Sequence, residues 1–305
     1  YVSLDPWFRK FNHDNLTFSF FYAFSENFVL PISHDEVVHG KGSLMNKMPG
    51  SYEEKFAGMR SFLGYMMAHP GKKLLFMGCE FGQFKEWDFE SGLDWLLLDY
   101  ESHRMLQHFV RSLNRFYREN AALWENDFSW DGFSWIAHDD YAQSIIVFRR
   151  IDHKGRELAV LCNFTPVERK PYRIGVPVFG TYAEVFSTDA AEFGGTGISN
   201  GVIETEPVSM HGFAQSLNLT VPPLSVLFLE LKTEKPYPQK QGKKKRGASR
   251  LPESRRAPEH PKSPKQAADS RFPFHHSSRR SCSCFASRSA SPCCSPAGRE
   301  AACMP

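Results

Sequence analysis

The first 120 residues alternate between helical and strand-like hydrophobic patterns. A dense apolar run at 16–26, rich in phenylalanine, predicts a helix that is buried on most sides. A shorter apolar run at 28–32 predicts a strand, with Pro31 near its C-terminal end because proline cannot donate a ladder hydrogen bond. A second compact strand is predicted at 74–77.

Two longer helices are predicted from a cap and from periodicity. Ser51 and Glu54 have the spacing of a capping box, in which each side chain accepts a hydrogen bond from the backbone N–H of the other residue. The helix that starts there should end at Pro70-Gly71, and another helix is predicted over 101–120. Apolar residues at helical spacing mark the buried sides of both helices: Phe56, Met59, Leu63, Met66, Leu106, Phe109, Leu113 and Phe116.

The order of these elements predicts two folded parts followed by a tail. Over residues 1–120, helices alternate with strands, which favours a parallel sheet, either doubly wound or the last part of a barrel. Over 121–232, short β-rich runs separated by turn residues predict an antiparallel β-sandwich. The strands of the sandwich are expected at 133–138, 144–150, 157–164, 172–176, 181–186, 213–221 and 225–231.

The tail, residues 233–305, differs from the rest of the chain in charge and composition. It holds 16 of the 37 Lys and Arg residues but only 5 of the 34 Asp and Glu residues, so it is basic while the preceding residues are mildly acidic. Its sparse apolar residues cannot offset the entropy of ordering, which predicts disorder. Its cations could contact phosphates without sequence preference, but no specific nucleic-acid partner is predicted.

Cysteine usage and the absence of long apolar runs predict a cytoplasmic protein. Only Cys79 and Cys162 precede the tail, and two scattered cysteines do not make a disulfide framework. Residues 1–10 lack the pattern of a signal peptide, and no stretch reaches the roughly 20 apolar residues of a membrane span. The chain begins at Tyr1 with no obvious start of an element, so we expect a fragment that opens within a domain.

The loop after the first predicted strand carries the candidate chemistry. It contains His34, Asp35, Glu36 and His39, and functional groups of β/α proteins collect where strands end. These side chains could instead only form turn and cap hydrogen bonds, or bind zinc. On a helix, five positions rotate a side chain by roughly 500°, so the two histidines would diverge by about 140°. That divergence disfavours a shared zinc ion, and we predict no metal and no cofactor.

The sequence around this loop closely resembles a signature region of glycogen branching enzymes, which belong to the α-amylase family of glycoside hydrolases. The resemblance lies in Phe28–Pro31 and in the run Ser-His-Asp-Glu-Val-Val-His-Gly-Lys-Gly-Ser at 33–43. It covers roughly residues 1–232 and is absent from about Lys235 onward. Further stretches that carry it are Leu75–Gly78, Glu80–Gln83, Glu86-Trp87, Leu93–Trp95, Leu113–Tyr117, Asn163–Pro166, Gly194–Gly197 and Pro222–Leu224.

This resemblance implies a (β/α)₈ TIM barrel followed by an all-β domain. The predicted strands at 28–32 and 74–77 would be the seventh and eighth strands of the barrel, so residues 1–120 would be its last part. The tail lies beyond the resemblance, and we interpret it as a product of translation in a shifted reading frame. An intact single frame in the transcript across codons 230–245 would contradict that interpretation.

The resemblance also implies a retaining reaction on α-1,4-glucan or glycogen. In this family an Asp forms a glycosyl-enzyme, a Glu serves as acid and base, and the chain is transferred to a 6-hydroxyl. Asp35 matches the third family carboxylate, which stabilises the transition state, and His34 matches a histidine that hydrogen-bonds the sugar. Glu36 and His39 are candidates for loop support. Glu80 is interpreted as structural.

The nucleophile and the acid/base belong after the fourth and fifth barrel strands and are absent from this chain. We therefore predict no activity for this chain alone. The parent protein is predicted to be a glycosyltransferase and a monomer. The alternatives are a hydrolase of the same family and a non-catalytic glucan-binding module. Five tryptophans could stack on sugars, although packing is the favoured interpretation for each: Trp87, Trp95, Trp124, Trp130 and Trp135.

Overall fold

A computed structural model describes residues 1–238 of the chain. Its first part contains two short strands and two long helices, preceded by two single-turn helices. Strands β1 and β2 pair in parallel, with Val29 opposite Lys72 and Ile32 opposite Leu75. Because α3 connects them, the predicted parallel strands with a helical connection are confirmed. The elements are α1 (Pro6–Arg9), α2 (Asp14–Thr17), β1 (Val29–Ile32), α3 (Tyr52–Ala68), β2 (Lys72–Leu75) and α4 (Glu101–Glu119).

The cap and the buried stripe of α3 are confirmed. Ser51 Oγ accepts from the Glu54 backbone N–H at 3.2 Å, and Glu54 Oε2 accepts from the Ser51 N–H at 2.7 Å. These two bonds satisfy donors that the first helical turn would otherwise leave without partners. The four apolar residues of the predicted stripe on α3 are all buried, and so are the first three of the stripe on α4.

The helix predicted over residues 16–26 is wrong. The segment instead forms α2, a 3₁₀ turn at Phe18–Phe21 and then turns. Only Leu16, Phe20 and Ala23 are buried, whereas Phe21 is 87% exposed. Aromatic side chains lose rotamer freedom in a helix, so propensity alone does not hold this segment helical. Its apolar density therefore does not make it a core helix.

The second strand begins two residues earlier than predicted. The Lys72 backbone N–H donates to the Phe28 carbonyl at 3.0 Å, so pairing with β1 starts at Lys72. Past Leu75 the chain turns away from the sheet, because the Cys79 N–H donates back to the Phe76 carbonyl. The prediction was displaced because the apolar run continues past the end of the strand. Phe76, which follows the strand, also packs against the core.

The second part is all-β and antiparallel, as predicted. A six-stranded sheet has the order β3-β4-β5-β10-β7-β8, and β6 and β9 form a separate pair. The prediction missed β8, a three-residue edge strand that is too short to show alternation. The strands are β3 (Phe133–Asp140), β4 (Ile145–Ile151), β5 (Glu157–Asn163), β6 (Arg169–Val176), β7 (Gly180–Ser187), β8 (Val202–Glu204), β9 (Gln215–Val221) and β10 (Ser225–Glu234).

The inner strands of the six-stranded sheet are buried on both faces. On β4, Ile145 and Val147 lie in a core shared with β6 and β9, whereas Ile146 and Phe148 lie in a core with residues of α3 and the chain before β1. Side chains alternate between the two faces of a strand, so a strand buried on both sides consists of continuous apolar residues. This explains the unbroken hydrophobic runs of β4, β5 and β10.

His69, at the end of α3, is buried between the two parts and should make stability pH-dependent. Its Nδ1–H donates to the Pro70 carbonyl at 2.7 Å, and its Nε2 accepts from the Ser19 hydroxyl at 2.9 Å. Burial, with smaller contributions from the charges of Lys73 and Arg150, lowers its pKa to about 4. An unfolded histidine binds a proton near pH 6.5 and this one does not, so acid favours the unfolded chain.

We expect the free energy of unfolding to fall by roughly 3 kcal/mol from this group as pH drops from about 7 to 4. Urea unfolding of the chain and of His69→Asn at several pH values measures the effect. The stability difference between the two proteins should shrink over that range. A difference that does not depend on pH would contradict the assignment.

Two further sequence predictions concern the tail of the chain and membrane-spanning segments. The disorder and shifted frame proposed for the tail concern residues that, from 239 onward, lie outside the described residues. The disorder predicted from residue 233 is wrong for the first residues of the tail, because β10 continues to Glu234 and the Lys235 N–H donates to the Phe179 carbonyl at 2.8 Å. Among residues 1–238, no helix is long and apolar enough to cross a membrane.

Candidate active site after the first parallel strand

The chain leaves β1 in a 3₁₀ turn that presents the candidate residues. Ser33 caps this turn, His34–Glu36, by accepting the Asp35 backbone N–H on its Oγ at 3.3 Å. The Val37 N–H closes the turn on the His34 carbonyl at 2.9 Å. Val37 is 3% exposed and anchors the turn in the core. A short polar turn on a buried anchor thus holds neighbouring side chains outward.

His34 and Asp35 form an exposed pair at this point. His34 Nε2 lies 3.3 Å from Asp35 Oδ1, and the Ser33 hydroxyl donates to Asp35 Oδ2 at 3.3 Å. The Asp35 side chain is 75% exposed and that of His34 is 53% exposed. A carboxylate held by a hydroxyl beside an imidazole can face a developing positive charge, while the imidazole can hydrogen-bond a hydroxyl group.

Two aromatic rings flank His34. The ring centres of Phe76 and Trp87 lie 6.1 Å and 6.0 Å from the His34 ring, and 5.1 Å from each other in an edge-to-face arrangement. Both come from the chain that follows β2. Because β1 and β2 run parallel, the chain segments after them emerge on the same side of the sheet. The pairing of strands therefore brings residues more than 40 positions apart to one site.

A second contact region joins the two segments beyond Val37. The Trp87 backbone N–H donates to the Val37 carbonyl at 2.8 Å, and Val38 and Trp87 form a parallel bridge. Glu86 accepts the backbone N–H groups of Gly40 and Gly42 at 3.0 and 2.7 Å. These two bonds lower the pKa of Glu86, and nearby His39 adds to the effect.

The remaining predicted site residues are dispersed. The Glu36 side chain is exposed, and its backbone carbonyl accepts from Lys47 Nζ. His39 is fully exposed, with Nδ1 3.5 Å from Glu86 Oε2. Glu80 is half-buried in the 3₁₀ turn Cys79–Phe81. Within residues 1–238, no group of three or more His, Cys, Asp or Glu side chains is arranged to hold a metal ion.

The five tryptophans do not form one surface. Trp87 borders His34, whereas Trp135 packs against Phe20 and Phe133 with ring centres 4.7 and 4.8 Å apart. Trp130 is 55% exposed and lies edge-on to Phe24. Trp95 is also 55% exposed and stacks on Phe81, and Trp124 is 37% exposed. Only Trp87 contributes to the site around Asp35.

Sequence reasoning assigned no role to Glu86 or Phe76. Both lie in stretches that carry the family resemblance, but neither has a local pattern of chemistry. The available signal was position, because each follows the second of two adjacent parallel strands. Their distances from the first loop depend on how β1 and β2 pair.

Comparisons with known proteins show what this chain is similar to. Residues 135–232 match the family described as the α-amylase C-terminal all-β domain. The 1,4-α-glucan branching enzyme GlgB of Aquifex aeolicus is 58% identical over 232 residues, which are 75% of this chain and 37% of that protein. Enzymes of the same name from Halothermothrix orenii and Aromatoleum aromaticum are 54% and 56% identical over 232 and 230 residues, again 75% of this chain and 37% and 36% of theirs.

The matching residues thus span little more than a third of the length of these relatives. The matched residues 135–232 lie within strands β3 to β10, which form antiparallel sheets, as the description of the all-β family implies. Over the matching residues the chain is therefore similar to part of the 1,4-α-glucan branching enzymes, and its residues 135–232 are similar to the α-amylase C-terminal all-β domain.

Proposed function

We propose that this chain is part of a 1,4-α-glucan branching enzyme, a glycosyltransferase that cleaves an α-1,4-glucan and transfers the chain to a 6-hydroxyl. The observation that carries the proposal is 54–58% identity to three branching enzymes over at least 230 residues. The exposed His34–Asp35 pair after β1 supports it, because it places a carboxylate and a hydrogen-bonding ring side by side.

The proposed reaction is a retaining double displacement. A nucleophilic carboxylate attacks the anomeric carbon, and the glycosidic oxygen leaves with a proton from the acid/base. The 6-hydroxyl of a glucan then attacks the glycosyl-enzyme, gives its proton to the same acid/base and releases the nucleophile. Neither of these two groups has a counterpart in this chain, so it should have no activity alone.

Asp35 is proposed to stabilise the positive charge of the oxocarbenium-like transition state. Its carboxylate is held by the Ser33 hydroxyl and is exposed, so it is accessible to a sugar ring. His34 is proposed to hydrogen-bond that sugar through its ring. Glu36 and His39 are proposed to support the loop, His39 through its position beside Glu86.

The proposal includes an architecture. β1 and β2 would be the seventh and eighth strands of a (β/α)₈ barrel, with residues 1–120 as its last part and 121–232 as the all-β domain. The parallel pair with its connecting helix supports this, since barrels are built from that unit. We further propose a cytoplasmic monomer that acts on α-1,4-glucan or glycogen and needs no cofactor.

The purified 305-residue chain should leave the iodine absorbance of amylose unchanged. The barrel must be closed to be stable, and the reaction needs a nucleophile and an acid/base. We propose that the remaining strands and these two carboxylates lie outside this chain. The measurement is iodine absorbance over time, with the A. aeolicus enzyme as the positive control. A fall in absorbance produced by the chain alone would contradict the proposed division of the active site.

A chimera tests the function directly. The 232 matching residues of the A. aeolicus enzyme are replaced by those of this chain, and products are analysed for new α-1,6 linkages. We expect branching without release of reducing sugar. Release of reducing sugar would favour the alternative of a hydrolase, and a folded chimera without either activity would overturn the proposal.

A further inference from the structure

We propose that Glu86 is a positioning residue, whose carboxylate fixes the loop at 33–43 that carries His34 and Asp35. This inference rests on the proposed function. It concerns a residue that contacts neither member of the pair and that must act through the loop.

The Glu86 carboxylate uses both oxygens on this loop. Oε2 accepts the Gly40 N–H at 3.0 Å, and Oε1 accepts the Gly42 N–H at 2.7 Å. Both glycines have positive φ, 79° and 75°, so their N–H groups are turned in a way that most other residues resist. The exposed Lys41 between them completes a turn, in which its own N–H donates to the Val38 carbonyl at 3.0 Å.

The same segment braces the loop at a second point, next to the candidate pair. The backbone N–H of Trp87 donates to the Val37 carbonyl at 2.8 Å, and the Val37 N–H donates to the His34 carbonyl at 2.9 Å. Thus Glu86 and Trp87 hold residues on the C-terminal side of the 3₁₀ turn that presents Asp35. Loss of the Glu86 contacts would leave only one of these two braces.

A carboxylate suits this role better than an amide. It offers only acceptors, and hydrogen bonds to an ionised acceptor are roughly twice as strong as neutral ones. Glutamine would keep the size of the side chain but would turn an NH₂ group toward one of the two N–H donors. The low pKa of Glu86 agrees, because it means that the loop favours the charged form.

The first experiment compares kinetics in the chimera described above. Glu86→Gln should lower kcat by about ten- to hundred-fold, since displacing a reacting group by about 1 Å can cost 100-fold. The melting temperature should stay close to that of the parent chimera. Glu86→Asp keeps the charge and should recover part of the rate. The matched control is Glu90→Gln, an exposed glutamate four residues away.

The ratio of kcat for Glu86→Gln to kcat for Glu90→Gln distinguishes a positioning role of Glu86 from a purely structural one. If Glu86→Gln and Glu90→Gln have the same kcat, Glu86 does not position the site. If Glu86→Gln loses activity only in proportion to lost folded protein, the role is structural and the inference is overturned.

The second experiment does not depend on activity. Trypsin cleaves after Lys41, which lies between the two glycines that Glu86 holds. In the 305-residue chain, Glu86→Gln should speed cleavage of the Lys41–Gly42 bond at least ten-fold, whereas Glu90→Gln should not. Mass spectrometry of the fragments measures this site against other tryptic sites.

If the chain and Glu86→Gln are cleaved after Lys41 at equal rates, or if Glu86→Gln is cleaved faster at every tryptic site, the role of Glu86 in fixing the loop is overturned. This separates the inference from the proposed function. An inactive chimera with a selective Lys41 effect would contradict only the branching activity. An active chimera without the Lys41 effect would contradict only the role of Glu86.

Discussion

Replacing Arg150 with alanine should lower the free energy of unfolding by about 3–5 kcal/mol, the usual cost of removing one member of a buried ion pair. The Arg150 and Asp127 side chains are both fully buried, with Nη2 2.6 Å from Oδ1. Arg150 also donates to the carbonyls of Ala68 at 2.7 Å and Gly132 at 3.2 Å. The substitution would leave the Asp127 charge and both carbonyls without this partner.

The position of the pair explains why the effect should be large. Ala68 ends α3, Arg150 lies on β4, and Asp127 precedes β3, so one guanidinium joins the α/β part to the all-β part. Lys72 of β2 approaches Asp127 Oδ2 at 2.9 Å, but its side chain is 46% exposed and cannot replace a buried partner fully. Burial lowers the pKa of Arg150, and the Asp127 carboxylate opposes that shift.

Urea unfolding followed by circular dichroism measures the loss. Arg156→Ala is the matched control, because Arg156 pairs with Asp152 at 2.7 Å while its side chain is 67% exposed. Asp152 itself is buried, but it also accepts the backbone N–H groups of Lys154 and Arg156, so loss of the solvent-exposed guanidinium should cost less than loss of Arg150. The double variant Arg150→Met with Asp127→Leu should recover much of the stability, since it removes both charges. Equal losses for Arg150→Ala and Arg156→Ala would show that the buried pair has no special weight.

Asp35→Asn in the chimera with the A. aeolicus enzyme should lower kcat by about 10²- to 10³-fold, as the loss of a preorganised group that faces transition-state charge does. Asparagine keeps the size of the side chain and can still accept from the Ser33 hydroxyl. It removes the negative charge. If the role is stabilisation of positive charge in the transition state, KM should change much less than kcat.

The measurement is the initial rate of branching over a range of amylose concentrations. Asp139→Asn, an exposed aspartate of the all-β part, removes the same charge away from the site and should leave both constants unchanged. A fall in kcat of less than ten-fold for Asp35→Asn would contradict the proposed role. A rise in KM with constant kcat would assign Asp35 to ground-state binding.

Local sequence patterns predicted the long elements well. The Ser51–Glu54 capping box and the apolar stripe of α4 act within a few residues, so their signal survives without knowledge of the fold. Seven of the eight strands in the all-β part were predicted because their hydrophobic runs are long and bounded by turn residues. Where a segment depends on what covers it, as at 16–26, apolar density was misleading.

For the candidate site, the sequence by itself determined the neighbours along one turn. His34 and Asp35 are adjacent, and Ser33 is the natural cap of the turn that presents them. The placement of Phe76, Glu86 and Trp87 against this turn was decided by the tertiary structure, because it depends on the parallel register of β1 and β2.

The same division holds for stability. The sequence determined the two long helices and seven of the eight strands of the all-β part, since periodicity and caps act over short distances. Only the tertiary structure decided that Arg150 would pair with Asp127, which lies 23 positions earlier in the sequence, and that this pair would lie beside the end of α3. Contacts between distant residues depend on how whole elements pack, and that packing reflects the sum of many weak interactions spread over the chain.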